Sequence, residues 1–477
     1  MWRPLASVPR LWLKAGVLAV AVVLVAAAIG WRWRAAQPTF RKLPSLPARG
    51  GGPLTVVATG DTVLVNPLTV DQVREISPLV PLLGNADATL TNLEVNLLER
   101  TQRPERTTGF PAPWPYGTEM VAEYLLRLGV NVVSLANNHT SDYGADGVRD
   151  TRRILDSHGL KHAGSGDDLS QAREPAFVGR SPRRVAVISV STSSSSEARA
   201  TSARGDIRGR PGLSPLRYTA DVTADPVTFE TLKASTAALQ AGPQPTDQNA
   251  LNLFGTTIKK GPKTVVDFVV DERDLQQIVD RIKQARSEAD AVIVSLHSHE
   301  PSNASDAPAQ FVQRFAHAAI DAGAALVVGH GPHRIRGVEV YGRGAILYSV
   351  GNFIFQYQAL DGSAADIYDA GADLYQLAIG AIGLGQPRPV TTFEKPEWWE
   401  GLVARATFAG GALTSLELQP IDLGAGEPKE QRGVPRPAAP DRAKDILDRL
   451  SRLADQLGTH VSSVDGLATV ELKAAGR

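Results

Sequence analysis

A chain of 477 residues with 43% hydrophobic content is long enough for one large domain with insertions or for two domains with separate cores. Lysine plus arginine (50) equals aspartate plus glutamate (50), so no global field favours nucleic acid, and no basic cluster interleaved with aromatics forms an RNA or DNA surface. The chain has no cysteine, which excludes disulfides, thiolate metal sites and cysteine nucleophiles and is compatible with an oxidising compartment; any metal must be held by His, Asp, Glu or Asn.

Residues 1–36 differ in kind from the rest. Arg3, Arg10 and Lys14 precede an uncharged run from Ala15 to Trp31. As a helix rising about 1.5 Å per residue it covers roughly 25 Å, slightly short of a bilayer core of about 30 Å. Snorkelling by Lys14 and a contribution from Leu11 to Leu13 close that gap. Ala26, Ala27 and Ala28 also suit a signal-peptidase site, so a cleaved signal competes with a retained anchor, and the anchor is the expectation. Flanking charge does not orient it, because Arg32, Arg34, Arg41 and Lys42 follow the span closely. A short cytoplasmic N-terminus and a single span place the bulk of the chain outside the cell membrane.

A Pro- and Gly-rich linker, residues 37–53, leads into a region, 54–423, that alternates apolar strands with helices as an α/β domain does. Strands are predicted at Leu54–Thr59, Ala88–Leu93, Val130–Ala136, Arg184–Val190, Ala291–His297, Ala324–Gly329 and Ala345–Val350. Helices are predicted at Gly117–Leu128, Gly144–Ser157, Asp271–Glu288 and Ala307–Ala322. Residues 191–263 interrupt the rhythm with a serine run, Gly/Arg-rich turns and a helix over Thr228–Gln240; they read as an insertion, either a lid over the site or a surface excursion. Leu402–Phe408 and Leu413–Pro420 form a hairpin across Gly410–Gly411. Residues 424–477 hold a Pro-rich linker and an amphipathic helix around Asp441–Leu457, whose apolar face is expected to pack on the domain.

Polar residues gather where the strands stop, which is where open α/β sheets place their sites. The fragments are "ATGD" (Asp61), "TNLE" (Asn92, Glu94), "ANNH" (Asn137, Asn138, His139), "SLHSHE" (His297, His299, Glu300) and "VGHGPH" (His330, His333). Five of the nine histidines lie in them. Carboxylates and imidazoles converging from several strands meet the needs of a divalent-metal site, which lowers the pKa of water toward about 7. Singly the fragments are weak: Asp61 also suits a turn cap, Asn137 a turn, Glu94 the surface, and His299 a solvated neighbour of His297. "GHGPH" is the most informative, since a glycine-flanked histidine pair after an apolar strand has few structural uses.

On "TGDTVLV", "TNLEVNL", "VNVVSLANNHTSDYGADGVRDTRRILDSHGLKHAGSG" and "VVGHGPHRIRGVEVYGRGAILYSVGNFIF", in that order, the chain resembles the CapA family of poly-γ-glutamate capsule synthesis proteins, part of the calcineurin-like metallophosphoesterase superfamily. The resemblance runs from Leu54 to Leu423. It implies an α/β, four-layer sandwich of two mixed β-sheets flanked by helices. It implies Asp61 and His333 at a first metal, Glu94 as the bridging carboxylate, and Asn138, His297 and His330 at a second. It implies a phosphate-contacting or proton-donating His139 oriented by Asp142. Three departures stand out: Val63 occupies the place of the superfamily's first histidine, Glu94 replaces an aspartate, and "HSHE" leaves the choice between His297 and His299 open.

The expected function is a membrane-tethered, extracytoplasmic protein of poly-γ-glutamate or related capsule polymer biosynthesis, acting as a hydrolase with one or two divalent ions (Mn, Zn or Fe). Its partners would be an anionic capsule polymer or phosphoester substrate, synthase membrane subunits and the membrane, with no nucleic acid. The alternative is a non-catalytic, metal-containing polymer-binding or export component. A soluble nucleotidase lacks an evident base-stacking aromatic pair and conflicts with the N-terminal apolar run.

Overall fold

A computed structural model describes residues 53–99, 115–356, 395–428 and 431–472. No helix among them is long and apolar enough to cross a membrane; the expected span Ala15–Trp31 lies outside the described residues.

Two large mixed sheets form the body. Strand Leu54–Val63, buried along its whole length, is the pivot of the ten-stranded sheet. On one side it pairs in parallel with Ala88–Leu93, followed by Val132–Ser134 and Lys161–Ala163. On the other it pairs antiparallel with Glu400–Ala409, the first arm of the predicted hairpin, whose second arm is Ala412–Asp422. The end of the pivot instead pairs with Asn352–Phe355, and the register shifts on both sides of it at Asp61. Such irregularities re-aim side chains at strand ends. The six-stranded sheet runs Val338–Tyr341, Gly344–Leu347, Leu326–His330, Ala291–His297, Val185–Ser191 and Ala176–Val178.

The apolar side chains sort into three principal cores because strand residues alternate between faces. Val56, Leu90, Leu402 and Ala406 of the first sheet meet Val187, Ile293 and Val328 of the second, so the sheets pack face to face. The outer face of the ten-stranded sheet, with Val57, Val133 and Val403, is covered by helices Val70–Ile76, Glu119–Arg127 and Gly144–Ser157. The outer face of the six-stranded sheet, with Ile188, Val294 and Val327, is covered by Glu272–Glu288 and Gln310–Asp321. The former of these is started by Asp271, whose carboxylate accepts from the Arg273 and Asp274 N–H groups and satisfies donors the first turn leaves open.

Helix Pro440–Asp455 inserts Ile446, Leu447, Leu450 and Ala454 into the core between the sheets, in line with the expectation that it packs on the domain. The stretch read as an insertion, 191–263, holds three strands of a separate small sheet that Val265–Val270, just beyond it, completes; the order is Ala250–Leu253, Thr256–Lys260, Tyr218–Ala224 and Val265–Val270, with helix Pro226–Ala238 against it. None of these four strands is among those predicted from the sequence. Two of these strands, "TTIKK" and "YTADVTA", are half exposed and carry Thr, Lys and Asp, so no apolar run marks them; Val265–Val270, "VVDFVV", does carry such a run and was legible.

Candidate metal centre

Register brings the polar strand ends together. In parallel pairing Asp61 lies opposite Asn92 and Asn352, Asn92 opposite Ser134, and His297 opposite both His330 and Ser191. The two sheets then join at this edge through side chains. The Gly331 N–H donates to Asp61 Oδ2 (3.0 Å), and Asn92 Nδ2 donates to Asp61 Oδ1 (2.8 Å) while lying 3.2 Å from His297 Nδ1. Asn137 orients that Asn92 amide by donating to its Oδ1 (3.2 Å) and to the Leu93 carbonyl (2.8 Å). Asn137 thus organises the turn, and its Oδ1 accepts the His139 N–H (3.1 Å).

Glu94 is the unusual member. It is 0% exposed, and neither carboxylate oxygen has a hydrogen-bond partner. An isolated buried carboxylate costs several kcal/mol, which a proton or a cation must offset. Burial, reinforced by the charges of Asp61 and Asp142, pushes its carboxyl well above the ordinary range, and burial raises Asp61 to about 7 despite the Gly331 and Asn92 hydrogen bonds. The facing imidazoles are neutral: burial lowers His333 to about 3 and His297 well below its usual value.

Two sets of ligand atoms converge on Glu94. Asp61, Glu94 and His333 form one, Glu94, His297 and His299 the other, each within 4.8 Å. His333 Nδ1 lies 3.0 Å from Asn352 Oδ1, and Asn352 Nδ2 donates to the Trp398 carbonyl (2.9 Å), so the proton sits on Nδ1. His333 Nε2 then keeps its lone pair 3.8 Å from Glu94 Oε1, and the ring stacks on Trp398. His297 Nε2 is also 3.8 Å from Glu94 Oε1. Gly331 permits this closeness: it has φ +108°, and a Cβ there would sit 3.2 Å from His297 Nε2.

Asn138 Oδ1 reaches to 3.4 Å from His299 Nε2. His139 Nδ1 donates to Asp142 Oδ2 at 2.7 Å, a pair formed across one turn. His330 lies in neither set: its Nε2 donates to the Thr59 carbonyl (3.0 Å) and its Nδ1 accepts from Ser295 Oγ (3.1 Å). Asn303, Asn352 and Ser295, which bond His299, His333 and His330, are site residues not expected from the sequence. Asn352 had a signal, a Gly-Asn pair directly after an apolar strand; the other two had none.

Beside the site, Glu300 accepts from Thr192, Ser193, Ser298 and Tyr218 hydroxyls. Burial opposes its charge, but the Thr192 and Ser298 hydrogen bonds hold its carboxyl below the usual range. Donors of the serine run and of the small lobe are thereby tied to the strand end that carries His297.

The family described as "Bacterial capsule synthesis protein PGA_cap" matches residues 55–357. An uncharacterized protein of Sinorhizobium fredii, y4sH, is 33% identical over 428 residues, 88% of this chain and 93% of that protein. The "Capsule biosynthesis protein CapA" of Bacillus anthracis is 25% identical over 78% of this chain and 76% of its own length. A "Probable polyglutamine synthesis accessory protein" of Mycobacterium tuberculosis is 30% identical over 50% of this chain and 48% of its own.

Proposed function

Because this chain belongs to the bacterial capsule synthesis family PGA_cap, we propose that it serves poly-γ-glutamate or related capsule polymer assembly as a membrane-tethered, metal-dependent hydrolase. The helix, sheet, sheet, helix layering reads as metallophosphoesterase-like, and the N-terminal apolar run as the tether. The observation that carries the metal is Glu94, a buried carboxylate with two unpartnered oxygens beside the ring nitrogens of His297 and His333. Oxygen and nitrogen donors of this kind suit Mn, Zn or Fe. When bound, such an ion supplies charge stabilisation to a phosphoryl or acyl oxygen and lowers the pKa of water.

Asp61, Glu94 and His333 would hold one ion, and Glu94 with His297 contributes to a second. His139 handles protons: with Nδ1–H held by Asp142, the proton passed to a leaving group is the one on Nε2. The substrate class is a phosphoester or γ-glutamyl bond of an anionic polymer or its precursor, with synthase membrane subunits as partners. A second reading, polymer binding without turnover, is favoured by the complete burial of Asp61, Glu94 and His297 and by the apolar Val63.

The test uses full-length protein. Elemental analysis should find a divalent ion in wild type and its loss in Glu94→Gln; no metal before or after reconstitution overturns the metal reading. A phosphoester and γ-glutamyl screen should show His139→Ala keeping metal and fold while losing on the order of 10²–10⁴-fold in turnover. If His139→Ala matches wild type in both hydrolysis and polymer output, the binding reading replaces the hydrolase.

A further inference from the structure

Resting on the metal reading above, we infer that His299, not His330, supplies the second imidazole of the second ion, completing a set of Glu94, Asn138, His297 and His299, with Asn303 as its positioning residue. His297 ends its strand, and two residues on the His299 ring meets it edge-on, with 4.9 Å between centroids. His299 Nε2 lies 3.0 Å from His297 Nε2 and 3.4 Å from Asn138 Oδ1. As it stands the histidine pair is an N–H···N hydrogen bond, His297 Nε2–H to His299 Nε2, because Asn92 Nδ2 donates to His297 Nδ1. Two donors on a tetrahedral ion with bonds of about 2.0–2.1 Å stand roughly 3.3 Å apart, so the same separations also suit ligands around one ion, whose binding would displace that proton. The two oxygens of Glu94 are the unpartnered, wholly buried acceptors on the same side.

The protonation pattern fits as well. His299 Nδ1 lies 2.7 Å from Asn303 Oδ1, an acceptor only, so Nδ1 carries the proton and Nε2 the lone pair. Metal-ligating histidines almost always have the other nitrogen engaged in this way. The loop that carries them is braced at several points. The His299 N–H donates to Ser193 Oγ (2.8 Å), Ser193 donates to Glu300, and the buried Arg336 guanidinium donates to the Glu300, Ser302 and Ser305 carbonyls.

His330 is arranged for a different task. Both of its ring nitrogens bond within the protein, joining the end of its own sheet to the Thr59 carbonyl of the other. Coordination would require a bond to Thr59 or Ser295, neither of them a ligand, to break, whereas His297, equally buried, gives up only its contact with His299, itself a member of the set. It is a strut between the sheets.

Isothermal titration of chelator-stripped full-length protein with Zn²⁺, with Co²⁺ absorption as a spectroscopic probe, tests this. Wild type should take up two ions. His299→Ala should lose one of them and change the cobalt spectrum, and Asn303→Ala should weaken that same ion about 10–100-fold. His330→Gln should keep both ions and their affinities while melting at lower temperature. Undiminished stoichiometry and affinity in His299→Ala, or loss of an ion in His330→Gln with retention in His299→Ala, overturns the assignment. If His299→Ala does not fold, Asn303→Ala decides, with unchanged affinity counting against the proposal. Wild type that binds no ion at all fails the metal reading itself, a result distinct from any of these and fatal to the assignment with it.

Discussion

His330 holds two sheets together only while its ring is neutral, because Nδ1 must accept from Ser295 as Nε2 donates to Thr59. Burial lowers its pKa from 6.5 to about 4. As pH falls from 6.5, the unfolded chain therefore takes up this proton before the folded one does. The unfolded state binds more protons in that window, so the contribution to stability is present above about 6.5 and is lost as pH falls toward 4. In metal-free protein, His330→Gln should flatten the stability–pH slope between these limits by up to one proton, about 1.4 kcal/mol per pH unit. Urea unfolding at a series of pH values checks it; parallel curves for variant and wild type would contradict the strut. The pair of His139 and Asp142 makes a different kind of residue-scale test. Asp142→Asn keeps a hydrogen-bonding group beside Nδ1 but removes the charge, and should cost about 10–100-fold in turnover with metal content unchanged. A loss as large as that of His139→Ala would show Asp142 to do more than orient.

Among the elements, the helix Pro440–Asp455 has the clearest energetic role. It closes the inter-sheet core with a leucine-rich stripe, and Leu450 is wholly buried there. Its polar side is clamped by Arg442 and Arg449, both paired with the buried Glu400 of the central hairpin. Leu450→Ala should destabilise the protein by about 2–5 kcal/mol through lost transfer energy and the cavity left behind. Denaturant midpoints measure this, and an unchanged midpoint would mean that the helix is dispensable to the core. The strand ends behave differently from the helix. Their side chains are positioned by neighbours in the other sheet, as Asp61 is by the Gly331 N–H, so a change at one strand end is felt at another some 270 residues away. The small sheet around Tyr218 reaches the centre by one such link, the Tyr218 hydroxyl on Glu300 (2.8 Å).

For the whole molecule, an ion held at the proposed centre would couple binding to folding, since the candidate donors come from both sheets and meet only in the native state. A divalent ion should raise the melting temperature in a concentration-dependent way, equivalent to about 2.7 kcal/mol at 100 times Kd. Glu94→Gln should abolish that dependence, and scanning calorimetry with and without Zn²⁺ reads it directly. The proposed tether is tested at this scale too: full-length protein should fractionate with membranes and be degraded when protease is added to spheroplasts, and full protection would contradict an extracytoplasmic body. Much of this architecture is legible in the chain. Apolar runs of strand length and helical stripes are local patterns, so strand Ala291–His297 and helix Gly144–Ser157 are predicted with their observed limits. The clustering of chemistry at strand ends is legible for the same reason, because each polar fragment directly follows the strand that delivers it. The polar strands of the small sheet, such as "TTIKK" and "YTADVTA", are not, since without an apolar run local pattern is silent. Nor can the sequence choose between His299 and His330, which share a residue type and a strand-end context. Which nitrogen is left with a lone pair depends on Asn303, Thr59 and Ser295, and contacts across two sheets exist only once register and packing have placed them.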